Sequence, residues 1–294
     1  MSLTLRAAAV VGASEELAPP VAAREAWPAI DPRFGEQRVQ LIATDVRAAW
    51  PEAPDRIARM DRLTRLSLLA VHRLHGAFGE SAPFETTRDE PVGISFASAL
   101  ATLGTNETFD RRYHTREARS GRALGDAHLF PYTAPNAAAG EIGIAFALHG
   151  PVVVRIGGGC SDVRAFCVAD VEPSVRRWVI VVADVLSPAA IAWLASNAIV
   201  RDGDVASEGA VAFLIDSTDS TDASARGPRI VRADGGIDAP DVARATLRDP
   251  EGRVRYGTAG AIALAASFLG AATSCRGTWE SRAPSGAWAR IELA

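Results

Sequence analysis

The apolar residues of the chain fall into two rhythms, and their alternation predicts an α/β protein. Mostly apolar runs at 5–11, 92–97, 178–183 and 211–215, interrupted only by Arg6 and Ser95, together with the β-branched run at 152–156, have the length of strands buried in a sheet. Between them the spacing changes to three and four. Met60, Leu63, Leu66, Ala70 and Leu74 share one face while Arg59, Arg62, Arg65 and Arg73 fall mostly on others, which predicts an amphipathic helix ending near Gly76. Further helices are predicted at 106–116 after a break at Gly104, at 136–148, from Ser161 to about 172, and at 188–195. The 136–148 helix opens on Asn136 as a cap and carries small residues at 139, 140 and 143 that permit close backbone approach. One modest helix is expected at 36–49 among the prolines between 19 and 54. The order strand, helix, strand, helix implies a largely parallel, mixed sheet covered by helices.

The stretch 216–227, Asp-Ser-Thr-Asp-Ser-Thr-Asp-Ala-Ser-Ala-Arg-Gly, has no apolar periodicity and reads as an exposed linker. It divides a core at 1–215 from a reduced carboxyl-terminal unit at 228–294, in which strands at 229–232 and 288–293 and a small-residue helix at 258–269 complete the same domain.

Composition removes several function classes. With 31 basic against 35 acidic residues in 294, the net charge is −4, and no general basic field exists to hold nucleic acid. Every basic residue apart from histidine is arginine, which excludes lysine Schiff bases and Walker-type phosphate loops. Three cysteines, Cys160, Cys167 and Cys275, suit neither a disulfide framework nor a thiolate zinc site, and the histidines have no partners at metal-ligand spacing. His72 and His75 close the 60–76 helix, where a cation complements the last carbonyls. The longest apolar stretches, 7–13 and 259–272, fall short of the roughly 18 residues that span a bilayer, and Glu15 and Glu16 spoil the first as a signal peptide. A cytoplasmic protein without a membrane span is expected.

Three segments carry a resemblance: Phe130-Pro-Tyr-Thr-Ala-Pro-Asn136-Ala-Ala-Ala-Gly140, Gly150-Pro151 and Glu208-Gly209-Ala210-Val211-Ala212. They are similar to the proline-asparagine segment with its alanine-glycine helix, the glycine-proline before the nucleophile strand, and the later glutamate-glycine-alanine strand of the β-ketoacyl synthases. Those are condensing enzymes of fatty-acid and polyketide synthesis with a thiolase-like fold. The resemblance covers most of 60–215, and 256–261 and 285–293 resemble the family's closing turn, helix and strand less specifically. The second half of the family fold would here be reduced to the residues after Gly227.

The resemblance implies a cysteine nucleophile after the glycine-proline and seven intervening residues, and that count from Pro151 lands on Gly159. Cys160 lies one residue later, and the family's small residue, serine, glycine that follows the nucleophile appears as Cys160-Ser161-Asp162. Decarboxylative condensation also needs two imidazoles, which the family supplies after the nucleophile. All five histidines here, His72, His75, His114, His128 and His149, precede it, and Gly257 stands where the second is expected. The family reading is therefore a non-catalytic subunit of the chain-length-factor type, with a vacant nucleophile position at Gly159, paired as a heterodimer with an active synthase and associated with polyketide or aryl-polyene synthesis. It implies that Thr105, Phe109 and Tyr113, on one helical stripe, border the partner's acyl tunnel. The strand of Val152, Val153, Val154, Arg155 and Ile156 offers an edge for pairing across subunits. Arg111, Arg112 and Arg116 form a basic cluster suited to an acidic acyl carrier protein, whose phosphopantetheine would deliver substrates without any other cofactor. Two rival readings stay open: an acyltransferase with Cys160 as nucleophile, and a stand-alone protein that binds acyl chains.

Overall fold

A computed structural model describes residues 2–12, 16–78, 84, 90–121, 125–157, 161–168, 172–218, 229–237, 265, 277–282 and 287–293. Its strands are β1 (Ser2–Val11), β2 (Val21–Ala22), β3 (Arg38–Gln40), β4 (Val92–Ser98), β5 (Val152–Ile156), β6 (Arg177–Asp184), β7 (Val205–Ser207), β8 (Gly209–Thr218), β9 (Arg229–Ile237), β10 (Gly277–Arg282) and β11 (Ala287–Leu293). Its helices are α1 (Ala23–Ala26), α2 (Val46–Ala49), α3 (Arg62–Gly76), α4 (Leu103–Ser120), α5 (Ala137–Ala145), α6 (Ser161–Arg164) and α7 (Pro188–Ser196).

Eight strands join in the order β10-β11-β9-β1-β8-β6-β4-β5, and β2, β3 and β7 make a small second sheet. Burial follows the sequence pattern: all seven residues of β4 and all but the first of β6 are buried, as strands covered on both faces must be. Along β6 the side chains alternate. Val179, Val181 and Ala183 join the core formed with Leu63, Leu66 and Leu69 of α3 and Ile142 of α5, while Trp178, Ile180 and Val182 are buried on the opposite face. There Phe213 meets Phe166 edge to face at 5.1 Å, and α6 packs against β4, β5 and the strands β9 to β11.

The mixed α/β class holds, but parallel pairing in the large sheet is confined to β5–β4 and β4–β6. After α7 the chain re-enters the sheet at the end it left, placing Gly209 opposite Asp184, so β8 runs antiparallel to β6. β1 is antiparallel to β8 in turn, and β9, β11 and β10 continue antiparallel.

Several boundaries differ from the sequence reading. The expected 36–49 helix is mostly extended, because 38–40 pairs into the small sheet and only α2, capped by Asp45, is helical. Gly104 does not break α4; it lies in the first turn, where an added Cβ would come 3.0 Å from Ser187 Cβ, so a glycine lets α4 approach the start of α7. Asn136 precedes α5 without making a side-chain cap. The helix expected to reach 172 has its described helical span at Ser161–Arg164. β8 runs to Thr218, three residues into the stretch read as a linker, because Asp216 is held by Arg6 and Arg177 at 3.0 and 2.8 Å. The rest of that linker and all of the 258–269 helix except Ala265 lie outside the described residues.

Candidate functional site

In sheets with parallel strands, binding sites form beyond the carboxyl ends of those strands. Here these ends are Ser98 of β4, Ile156 of β5 and Asp184 of β6. The chain leaves β5 through Gly157, at φ +84°, whose N–H donates to the Ser98 carbonyl at 3.0 Å. The next residues, 158–160, include Gly159 and Cys160 and lie outside the described residues. Helix α6 begins at Ser161, so a strand and a helix stand on either side of the glycines where the sequence places them.

A buried acid ends β6 beside Ser98. Asp184 is 3% exposed, and its Oδ1 accepts the Ser98 hydroxyl and the Leu100 N–H, each at 2.7 Å. Its Oδ2 is buried without a hydrogen-bond partner among the described residues. Burial pushes the carboxyl up to about 7, and the fully buried Asp162 of α6 adds to the rise, against the backbone and hydroxyl hydrogen bonds that lower it. Ser98 Oγ also accepts the Ala101 N–H, which pins the turn into α4 with Ala101 at φ +48°. Alongside, Arg155 reaches under β5 to donate to Ser95 Oγ and the Cys167 carbonyl at 3.2 and 2.8 Å.

A second anchor lies behind β8. Glu208 is 1% exposed and accepts the N–H groups of Ile42 and Leu186, while Arg62 grips its carboxylate through Nε and Nη2. Arg62 also lines a pocket of about 170 Å³ between α4 and α7, whose walls include Trp27, Thr105, Glu107, Thr108 and Arg111.

The stripe Thr105, Phe109 and Tyr113 divides among three surroundings. Thr105 is buried and donates to Asp61 Oδ2 at 2.6 Å, tying α4 to the residue that caps α3. Phe109 is half-buried with its ring 6.1 Å from Phe130, which is 65% exposed, and Tyr113 packs edge-on against His114. The three arginines divide as well. Arg112 and Arg116 both turn to Asp126, at 2.7 and 3.7 Å, and Asp126 is held below the ordinary carboxylate range chiefly by Arg112. Arg111 alone faces the pocket. β5 is the edge of the large sheet, with Val152 48% and Ile156 43% exposed. Among the described residues no three His, Cys, Asp or Glu side chains converge as metal ligands, and no helix is long and apolar enough to cross a membrane.

Asp184, Asp162, Ser98 and the Arg62–Glu208 pair escaped the sequence reading. An aspartate ending the otherwise apolar run Trp-Val-Ile-Val-Val-Ala was the available signal, as was Asp162 where the family pattern has glycine. No protein-family model matches the sequence, and no curated protein is recognisably related to it. Solved structures match over the whole chain. The ishigamide ketosynthase/chain length factor superposes with a TM-score of 0.72 at 19% identity, covering 100% of this chain and 99% of its own. A type II polyketide ketosynthase solved with its acyl carrier protein and a bound hexaketide gives a TM-score of 0.72 at 12% identity, with the same coverage. The Xenorhabdus doucetiae ketosynthase in complex with its chain length factor gives 0.59 at 14%, covering 90% of this chain and 67% of that one. The chain therefore has the thiolase-like fold of the ketosynthases and chain length factors.

Proposed function

We propose that this chain is a non-catalytic, chain-length-factor-type subunit that pairs with an active β-ketoacyl synthase in the cytoplasm and helps shape its acyl tunnel, in fatty-acid or polyketide synthesis of the aryl-polyene kind. The observation that carries the reading is the β5 edge, unpaired among the described residues, with Val152 and Ile156 exposed; in the sequence it is followed by Gly159 at the family's nucleophile position. An exposed edge strand is a template for pairing, and a second subunit would continue the sheet there and cover both side chains. Beyond 106, α4 is largely exposed, and its Phe109 and the neighbouring Phe130 supply apolar surface for the same partner. Acyl carrier protein would deliver substrate on its phosphopantetheine, and Arg111 is the best placed of the three arginines to meet it, since Arg112 and Arg116 are spent on Asp126.

Co-expression with a ketosynthase that depends on a chain length factor, followed by sizing, is expected to give a one-to-one complex burying more than about 2,000 Å². A folded monomer eluting apart from the ketosynthase would refute the pairing. The chain alone is expected to release no carbon dioxide from malonyl carrier protein; release abolished by Cys160→Ala would overturn the non-catalytic reading.

In the reconstituted pair, Phe109→Ala is expected to lengthen the acyl products. Because Phe109 is half-buried, the stability loss is expected near 2 kcal/mol, below the roughly 3–5 kcal/mol of a fully buried ring. Mass spectrometry of products and a melting curve on one sample check both parts. Unchanged products from a folded variant would remove Phe109 from the tunnel.

A further inference from the structure

The pocket between α4 and α7 has a lining that subunit pairing leaves unused. We propose that it binds a small oxyanion, a phosphate or carboxylate group, between the guanidinium groups of Arg111 and Arg62.

The argument begins on α4. Glu107 and Arg111 are one turn apart, the spacing at which a glutamate and an arginine ordinarily close an ion pair on a helix surface. Glu107 turns instead to α7 and accepts the Ala189 N–H at 3.1 Å, where the helix dipole favours a carboxylate. Arg111 is exposed and left without a carboxylate within ion-pairing distance among the described residues. Its neighbours Arg112 and Arg116 show the contrast, since both turn to the carboxylate of Asp126.

The opposite wall is more rigid. Glu208 and the Ile42 carbonyl hold Arg62 through Nε and Nη2, which leaves Nη1 uncommitted among the described residues. A guanidinium fixed from behind loses little entropy on gripping an anion. Trp27 adds a flat wall and an indole N–H that has no partner among the described residues. The Thr105 and Thr108 hydroxyls are already committed as donors, to Asp61 and to the Gly104 carbonyl, so the arginines and the indole define the recognition. A volume of about 170 Å³ admits an oxyanion and a few atoms of whatever carries it. Glu107 opposes a bound anion, which sets the affinity as modest and supplies a control.

The inference does not depend on pairing with a ketosynthase. It is tested by melting curves of the purified chain with inorganic phosphate, glycerol 3-phosphate or acetate, each against chloride at matched ionic strength. Saturable stabilisation is expected from at least one of them. Phosphate acting alone points to free phosphate, glycerol 3-phosphate binding more tightly points to an ester, and acetate ranking first points to a carboxylate. Arg111→Gln, an exposed site, is expected to weaken binding about tenfold or more by removing a charge-assisted hydrogen bond, with an unchanged melting temperature in chloride. Glu107→Gln keeps the oxygen that caps α7 and removes the opposing charge, so it is expected to bind more tightly. No saturable effect from any of the three anions, or wild-type binding by Arg111→Gln, overturns the proposal.

Discussion

Gly150→Ala is expected to destabilise the fold by about 3 kcal/mol, at the upper end of the cost of overpacking. Gly150 donates its N–H to the Val92 carbonyl at 3.1 Å and precedes Pro151, whose carbonyl accepts the Ile94 N–H. A Cβ at this position would lie 2.3 Å from the Val92 oxygen and 2.7 Å from the Gly93 nitrogen. Both are backbone atoms at the start of a central strand, so no side chain can swing aside and β5 itself must move. In a chain of this size the loss corresponds to a fall in melting temperature of about 5 °C. Gly140→Ala is the matched control: it is an exposed position of α5 with nothing within 4 Å of the added Cβ, and it is expected to gain about 0.5–1 kcal/mol. If Gly150→Ala melts with the wild type, the close approach of 150 to β4 is wrong, and with it the register that presents β5 as a free edge.

That pair of glycines marks what can be read from one sequence. The strand β5 was expected at its observed bounds because the run Val-Val-Val-Arg-Ile stands between Gly150-Pro151 and three glycines, and punctuation of that kind is local. α3 was equally plain, since its apolar stripe is long, although its cap, Asp61, emerged only with the fold. Relations between distant segments left no local trace. The sense of β8 follows from Gly209 lying opposite Asp184, and the disruption of the 36–49 helix follows from Arg38–Gln40 pairing with Val205–Ser207. The same holds at the site. Arg111, Arg112 and Arg116 look equivalent on a helical stripe, and only the fold reveals that Asp126 claims two of them. Nothing local to Asp184 marks it as a buried acid, because Asp162, Ser98 and Leu100, which set its surroundings, come from other elements.

Asp184 in turn fixes how stability varies with pH. Its carboxyl titrates near 7 in the folded chain against an ordinary 3.8, so between those values the folded state holds a proton that the unfolded chain has released. Stability from this group is fully present below about pH 4 and is lost as pH rises through 7. At about 1.4 kcal/mol per pH unit, the loss across the window is of the order of 4 kcal/mol. His72 works in the opposite sense. Burial, aided by His75, lowers its imidazole below the ordinary 6.5, where it stacks on Trp50 at 4.5 Å, so its contribution is present above 6.5 and lost as pH falls. Asp184→Asn keeps an oxygen for Ser98 and Leu100 and places an amide where Oδ2 has no donor, leaving no proton to lose. The variant's advantage over wild type is therefore expected to widen by several kcal/mol between pH 5 and pH 8. Its own profile is expected to rise to a plateau above pH 6.5, the His72 contribution uncovered. Urea unfolding of both proteins at pH 5, 6.5 and 8 measures the difference directly. A gap that stays constant across the three would show that Asp184 is ionised throughout, and would overturn the raised carboxyl that its burial implies.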